Sequence, residues 1–176
     1  MNRSLKSAAK ISLLSTLAIA PVLLSHGAAS AKPTGTDANY VGAGAAAGVT
    51  NGGQNGDAAT FGGTIVGRYK IQNTPLSARG AVIFSGETSA IMPLISYDVP
   101  ITNNANGYVA AGYSLVEKDG APTPIGNKNA PIVAAGVEAE VAKNVVVFSD
   151  VKLGIKAYEN SPASAVSING GIGYSF

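Results

Sequence analysis

Cysteine is absent from the 176-residue chain, histidine occurs once, at position 26, and charged residues make up only 12%. The first absence excludes a disulfide-stapled scaffold and every thiolate nucleophile or thiolate metal site. The lone histidine falls in an amino-terminal leader, so the processed chain has no imidazole either. Ser-His triads and the usual zinc or transition-metal ligand sets go with it, and no metal or cofactor is expected. Charge at about half the ~25% usual for soluble domains leaves few ionised side chains to cover a soluble surface. Past the leader, no stretch approaches the roughly 20 consecutive apolar residues of a membrane-spanning helix. Any part of this chain that crosses a bilayer must do so as a closed sheet, which satisfies its backbone internally.

The leader reads as a secretory signal peptide over residues 1–31. Arg3, Lys6 and Lys10 form its basic start, Ile11 to Leu24 an apolar run interrupted by small polar residues and Pro21, and Ala29-Ser30-Ala31 an A-x-A cleavage site. Cleavage after Ala31 leaves 145 of the 176 residues, room for one domain. With the three basic residues removed, 9 Lys and Arg stand against 10 Asp and Glu, a net charge of −1. The basic balance therefore belongs to the leader, and no nucleic acid partner is implied.

What remains is a short polar lead, 32–38, followed by a single domain, 39–176. Eight segments, 39–49, 60–71, 76–85, 89–100, 107–116, 131–141, 145–157 and 165–176, alternate in hydrophobicity with a period of two, as strands with one apolar face do. Turn chemistry separates them, from Asn51-Gly52-Gly53-Gln54-Asn55-Gly56-Asp57 and Asn73-Thr74-Pro75 to Lys143-Asn144. One phase of each segment carries no charge; examples are Val41 to Val49, Ile91 to Val99 and Val145 to Ile155, taken at alternate positions. Arg or Lys at the midplane of a barrel's lipid face costs roughly 2–4 kcal/mol, so this freedom from charge is what lipid exposure requires. The fold class expected is all-β, an eight-stranded antiparallel up-and-down transmembrane β-barrel. Pro93 falls mid-segment, where a closed sheet has no edge to accommodate it, and predicts a bulge that leaves the register of the fourth segment open.

The opposite phase holds Arg68, Lys70, Arg79, Asp98, Glu138, Glu140, Asp150, Lys152 and Lys156 among Gly, Ala, Ser and Thr. An eight-stranded barrel has room inside for little more than side chains, so these nine charges are expected to meet as a lumen network. Arg68 and Arg79 sit symmetrically about the 72–75 turn, side by side, and Asp98, Glu138 and Glu140 are expected to neutralise them. Packing is the reading preferred over a transport or catalytic site. Glu138 and Glu140, two apart on one strand face, read as salt-bridge elements and not as a glycosidase pair. Phe61, Tyr69, Phe84, Tyr97, Tyr158, Tyr174 and Phe176 lie near segment ends, where interfacial belts form. Inward Gly42, Gly44, Gly112, Gly136, Gly171 and Gly173 leave a narrow water-filled channel as an alternative. Gly42 to Ala47 is glycine-rich like a dinucleotide-binding loop, but no helix pattern follows it. The Asn51 to Asp57 loop has one carboxylate and lacks calcium-loop spacing.

The final segment, Val166 to Phe176, alternates cleanly and stops on an aromatic ring. Its Ile172, Tyr174 and Phe176 resemble the carboxy-terminal insertion signal of bacterial outer-membrane proteins. With the leader and the eight alternating segments, the whole of 39–176 resembles the small OmpA/OmpX-type outer-membrane β-barrels, within the broader porin-like group. That resemblance implies location in the outer membrane with the amino terminus in the periplasm, lipid as the surrounding partner, and recognition of the last strand by barrel assembly machinery. It also implies a non-enzymatic role in envelope structure or surface interaction, through outer loops 51–57, 117–130 and 159–163. A soluble periplasmic ligand-binding barrel of lipocalin type is a further alternative, in which the charged phase would face water and the apolar phase a ligand.

Overall fold

The computed structural model describes residues 32–52, 60–86 and 88–176. The leader, with His26 and the Ala29 and Ala31 cleavage site, lies outside the described residues, as do 53–59 and Glu87. Eight strands follow one another, with no helix among the described residues: β1 (Tyr40–Gly48), β2 (Phe61–Lys70), β3 (Leu76–Phe84), β4 (Ser89–Pro100), β5 (Ala105–Val116), β6 (Ala130–Ala142), β7 (Val145–Gly154) and β8 (Ala165–Ser175). Each pairs antiparallel with the next. β8 returns to β1 from Tyr40↔Ser175 to Gly48↔Ser167, so the barrel closes and no edge remains for another chain to pair with.

Because strand side chains alternate between faces, register alone decides what the wall presents. Val41, Ile65, Ile91, Ile95, Val109, Val133, Ile168 and Ile172 are exposed on the outside, and no strand carries Asp, Glu, Lys or Arg at an outward position. This is the reverse of what a soluble ligand-binding barrel needs. The turns 71–75, 101–104 and 143–144 mark one end, with Asn73 and Asn144 in the left-handed conformation that Asn tolerates. The longer connections 49–60, 117–129 and 155–164, with the short 85–88, mark the other. Tyr69, Tyr97, Tyr174 and Phe176 stand exposed towards the short-turn end, and Phe61 and Phe84 towards the long-loop end, as two aromatic girdles.

Three expectations are corrected. β7 stops at Gly154, because Lys156 adopts a positive φ of 53° and turns the chain inward. Ala157 and Tyr158 are consequently buried, and Tyr158 leaves the girdle to bond Thr50 through its hydroxyl. Pro93 produces no bulge. Ile91↔Leu115 and Leu94↔Gly112 share one register, and only the pairs between them are missing, since proline has no N–H for that ladder. The irregularity lies instead in β6, between Glu140 and Ala142.

Candidate functional site in the barrel interior

Arg68 on β2 and Arg79 on β3 are direct cross-strand partners, a like-charge pair that would be destabilising alone. Both are answered by Asp98 on β4, the strand next to β3, and from across the lumen by Glu138 on β6. Arg68 Nη2 lies 2.8 Å from Asp98 Oδ2 and its Nε 3.2 Å from Glu138 Oε1. Arg79 Nη2 reaches Asp98 Oδ1 at 3.1 Å, and its Nη1 reaches Glu138 Oε2 at 2.9 Å. Each carboxylate thus bridges both guanidinium groups. Neutral donors and acceptors complete the shell. Ser77 and Ser96 donate to Asp98, Tyr40 donates to Glu138 at 3.0 Å, and Asn106 donates to Glu138 at 3.3 Å. Arg68 also donates to the carbonyls of Thr36 and Ala38, at 3.2 and 2.8 Å.

A second cluster sits beside it. Lys152 Nζ donates to both oxygens of Asp150, at 2.5 and 2.7 Å, while Tyr108 and Asn169 donate to the same carboxylate at 2.9 and 2.8 Å. The two clusters join where the Arg79 guanidinium stacks over the Tyr108 ring, 3.7 Å from its centroid. Burial of this many ionised groups is tolerable only with such satisfaction.

Of the nine charges expected here, six form these two clusters. Lys70 is marginal, its Nζ 3.7 Å from Asp37 and 3.9 Å from Asp98. Glu140 does not touch either arginine; it accepts from Thr36 and Ser175, each at 3.4 Å, at the short-turn end. Lys156 lies outside the lumen altogether, on the exposed turn after β7. Tyr40, Tyr108 and Phe148 are not among the residues that the sequence singles out, although they occupy the inward phase of their strands and parity alone would find them. They fill the space that inward glycines open. A Cβ on Gly136 would stand 2.7 Å from the Tyr108 ring, and one on Gly42 2.9 Å from Phe148. The space left among Tyr40, Arg79, Tyr108, Phe148, Asp150 and Lys152 is about 20 Å³, enough for one water.

Both ends are stopped. Towards the long-loop end, Ile125 packs with Ile83, Met92 and Ile132 in an apolar cluster. It is carried by a tight Thr123–Gly126 turn closed by two backbone hydrogen bonds of 3.0 and 3.1 Å. Ser85 donates to the Pro122 carbonyl at 2.8 Å, and the Asn127 amide to the Ala157 carbonyl at 2.9 Å, anchoring this segment on two sides. The middle of the 117–130 connection is thus a plug, and only Glu117, Lys118, Asp119 and Asn129 are exposed. At the short-turn end the lead crosses the opening. Gly35 donates to Thr102 at 2.9 Å, and Thr36, which is buried, exchanges bonds of 3.2 and 2.7 Å with the Asn106 side chain. No group of three or more His, Cys, Asp or Glu side chains that could hold a metal occurs among the described residues.

No protein-family model matches the sequence, and no curated protein matches it as a relative. Solved structures do match. The N-terminal β-barrel domain of Pseudomonas aeruginosa OprF superposes with a TM-score of 0.54 at 13% identity, over 80% of this chain and 98% of that one. The fold is that of the small outer-membrane β-barrels. A de novo designed transmembrane β-barrel agrees at a TM-score of 0.53 and 14% identity, again over 80% and 98%. Neisserial surface protein A agrees at 0.51 and 17%, over 78% and 97%. Identities this low speak to the architecture of an outer-membrane barrel and leave activity to the chain's own residues.

Proposed function

We propose that this protein is an integral outer-membrane β-barrel without enzymatic activity, contributing to envelope structure and presenting the exposed parts of its long-loop end outside the cell. The observation that carries this reading is an uncharged apolar wall around an interior that is filled and closed at both ends. The wall matches lipid, and the carboxylates that chemistry would need are committed to ion pairs. The short-turn end, with the lead, then faces the periplasm. Glu117, Lys118, Asp119 and the 159–163 stretch are the surfaces available to a partner. Ile172, Tyr174 and Phe176, outward at the end of β8, are the element assigned to recognition by assembly machinery. A filled lumen favours this role over the conducting one. The test is twofold. The protein should fractionate with the outer membrane as a compact band that shifts on heating, and it should give no steady current in planar bilayers. Reproducible conductance from folded protein would overturn the non-conducting role, and recovery from the soluble periplasm would overturn the membrane location.

A further inference from the structure

Two recesses of opposite polarity lie along β2, one at the short-turn rim of the barrel and one on its outer wall. The polar one, of about 330 Å³, opens at the short-turn end among Asp37, Asn39, Tyr69, Lys70, Gln72 and Asn73. The apolar one, of about 490 Å³, is bordered by Val41, Ile65, Val82 and Ile91. Its floor consists of Gly67, Gly80 and Pro93, aligned in register on β2, β3 and β4, so three neighbouring strands share one shallow spot. A Cβ added to Gly80 would meet nothing within 4 Å. Tyr69, which lines the polar recess, and Gly67, on the floor of the apolar one, are consecutive outward positions of β2, so the rim recess adjoins the wall recess.

Lys70, the last residue of β2 and of its inward phase, is only loosely paired at this rim. Lys70 Nζ lies 3.7 Å from Asp37 and 3.9 Å from Asp98, beyond the 2.7–2.9 Å or so of a charge-assisted hydrogen bond. The Asp37 side chain is 81% exposed. Asn39 gives its side-chain oxygen to the Lys70 amide at 2.7 Å, which leaves its NH₂ as a donor.

We infer that the two recesses together bind one glycerophospholipid of the leaflet at the short-turn end, its phosphoethanolamine headgroup in the polar recess and an acyl chain in the apolar one. The inference rests on the membrane reading above. Lys70 and Asn39 supply a cation and a donor to the phosphate, and Asp37 accepts from the terminal ammonium. Tyr69, an exposed girdle residue, stands between them at the level of the glycerol. An anionic headgroup without an amine would meet Asp37 unpaired, and phosphocholine has no N–H to donate to it. A second copy of the barrel, the competing occupant, would cover the apolar recess in place of the acyl chain.

The test is native mass spectrometry of the folded barrel released from micelles doped with equal amounts of phosphatidylethanolamine and phosphatidylglycerol, each variant first shown to give the compact heat-modifiable band. The parent should retain one phosphatidylethanolamine in preference to phosphatidylglycerol. Asp37→Asn should lower that preference about three- to fivefold, the worth of one accessible charge pair. Lys70→Gln should lower retention of both lipids, and Gly80→Leu, which fills open space, should lower both while keeping their ratio. Equal retention of the two lipids by the parent, undiminished retention by Gly80→Leu, or a dimer in place of the lipid would overturn the proposal. A folded barrel that retains neither lipid overturns this site alone, whereas a parent that forms no compact band overturns the membrane reading beneath it.

Discussion

Replacing Glu138 by glutamine tests whether the interior is held by charge or merely filled. Glu138 is buried. Its Oε1 receives Arg79 Nη2 at 3.1 Å and Asn106 at 3.3 Å, with Arg68 Nε at 3.2 Å; its Oε2 receives Arg79 Nη1 at 2.9 Å and Tyr40 at 3.0 Å. Glutamine has one acceptor where two are needed, so either orientation of its amide sets an NH₂ against an arginine N–H. It also leaves Arg68 and Arg79 sharing Asp98 alone. Breaking a buried pair in this way costs about 3–5 kcal/mol, or roughly 10²- to 10⁴-fold in the folding equilibrium. Glu140→Gln is the matched control. It loses only two hydroxyl contacts of 3.4 Å and no ion pair, so its cost should stay near ~0.5 kcal/mol. The assay is a urea titration in lipid vesicles, read by the heat-modifiable band shift. Adding Arg79→Met to Glu138→Gln removes the excess positive charge and should recover about 1–3 kcal/mol relative to the sum of the single changes. Equal midpoints for Glu138→Gln and Glu140→Gln, or strict additivity in the double variant, would refute the claim that Glu138 bridges the two arginines.

Three further outcomes are expected. Ile125→Ala should cost about 2–4 kcal/mol in the same titration, because Ile125 is the apolar stopper of the long-loop end and is 1% exposed; a cost under about 1 kcal/mol would show that the plug carries no packing. Ile65→Arg, on the outward face of β2, should cost about 2–4 kcal/mol in vesicles, while Lys143→Arg in the turn should be neutral; equal costs would contradict lipid contact. Ser114→Ala should be neutral or stabilising by up to about 1 kcal/mol, since the buried Ser114 hydroxyl has no hydrogen-bond partner among the described residues; a marked loss would reveal a partner.

The barrel is legible in the sequence because its physics is written in parity. A period of two, one face without charge, specifies strand positions and inward residues together, and the opposed Arg68 and Arg79 follow from symmetry about a turn. The parts that are not legible lie where parity stops or beyond the strands. Lys156 continues the alternation of β7 by position, but its left-handed φ is invisible in a string of residues, so periodicity alone carries the strand too far. Thr123-Pro124-Ile125-Gly126 reads as turn chemistry whether it points to solvent or into a barrel mouth. The pairing of Glu138 with both arginines, and the exclusion of Glu140, depends on reach across the lumen, a distance that no single strand encodes.

The placement of charge also bears on the order of assembly. The β2–β3 hairpin carries Arg68 and Arg79 together on its inward face, while their carboxylates arrive later, on β4 and β6. That hairpin cannot enter the hydrocarbon alone without exposing two adjacent cations, each at a cost of roughly 2–4 kcal/mol. The interior leaves water at low cost only once β6 has joined. Cancellation of the arginine charge therefore needs six of the eight strands and precedes closure, which waits for β8 to pair with β1.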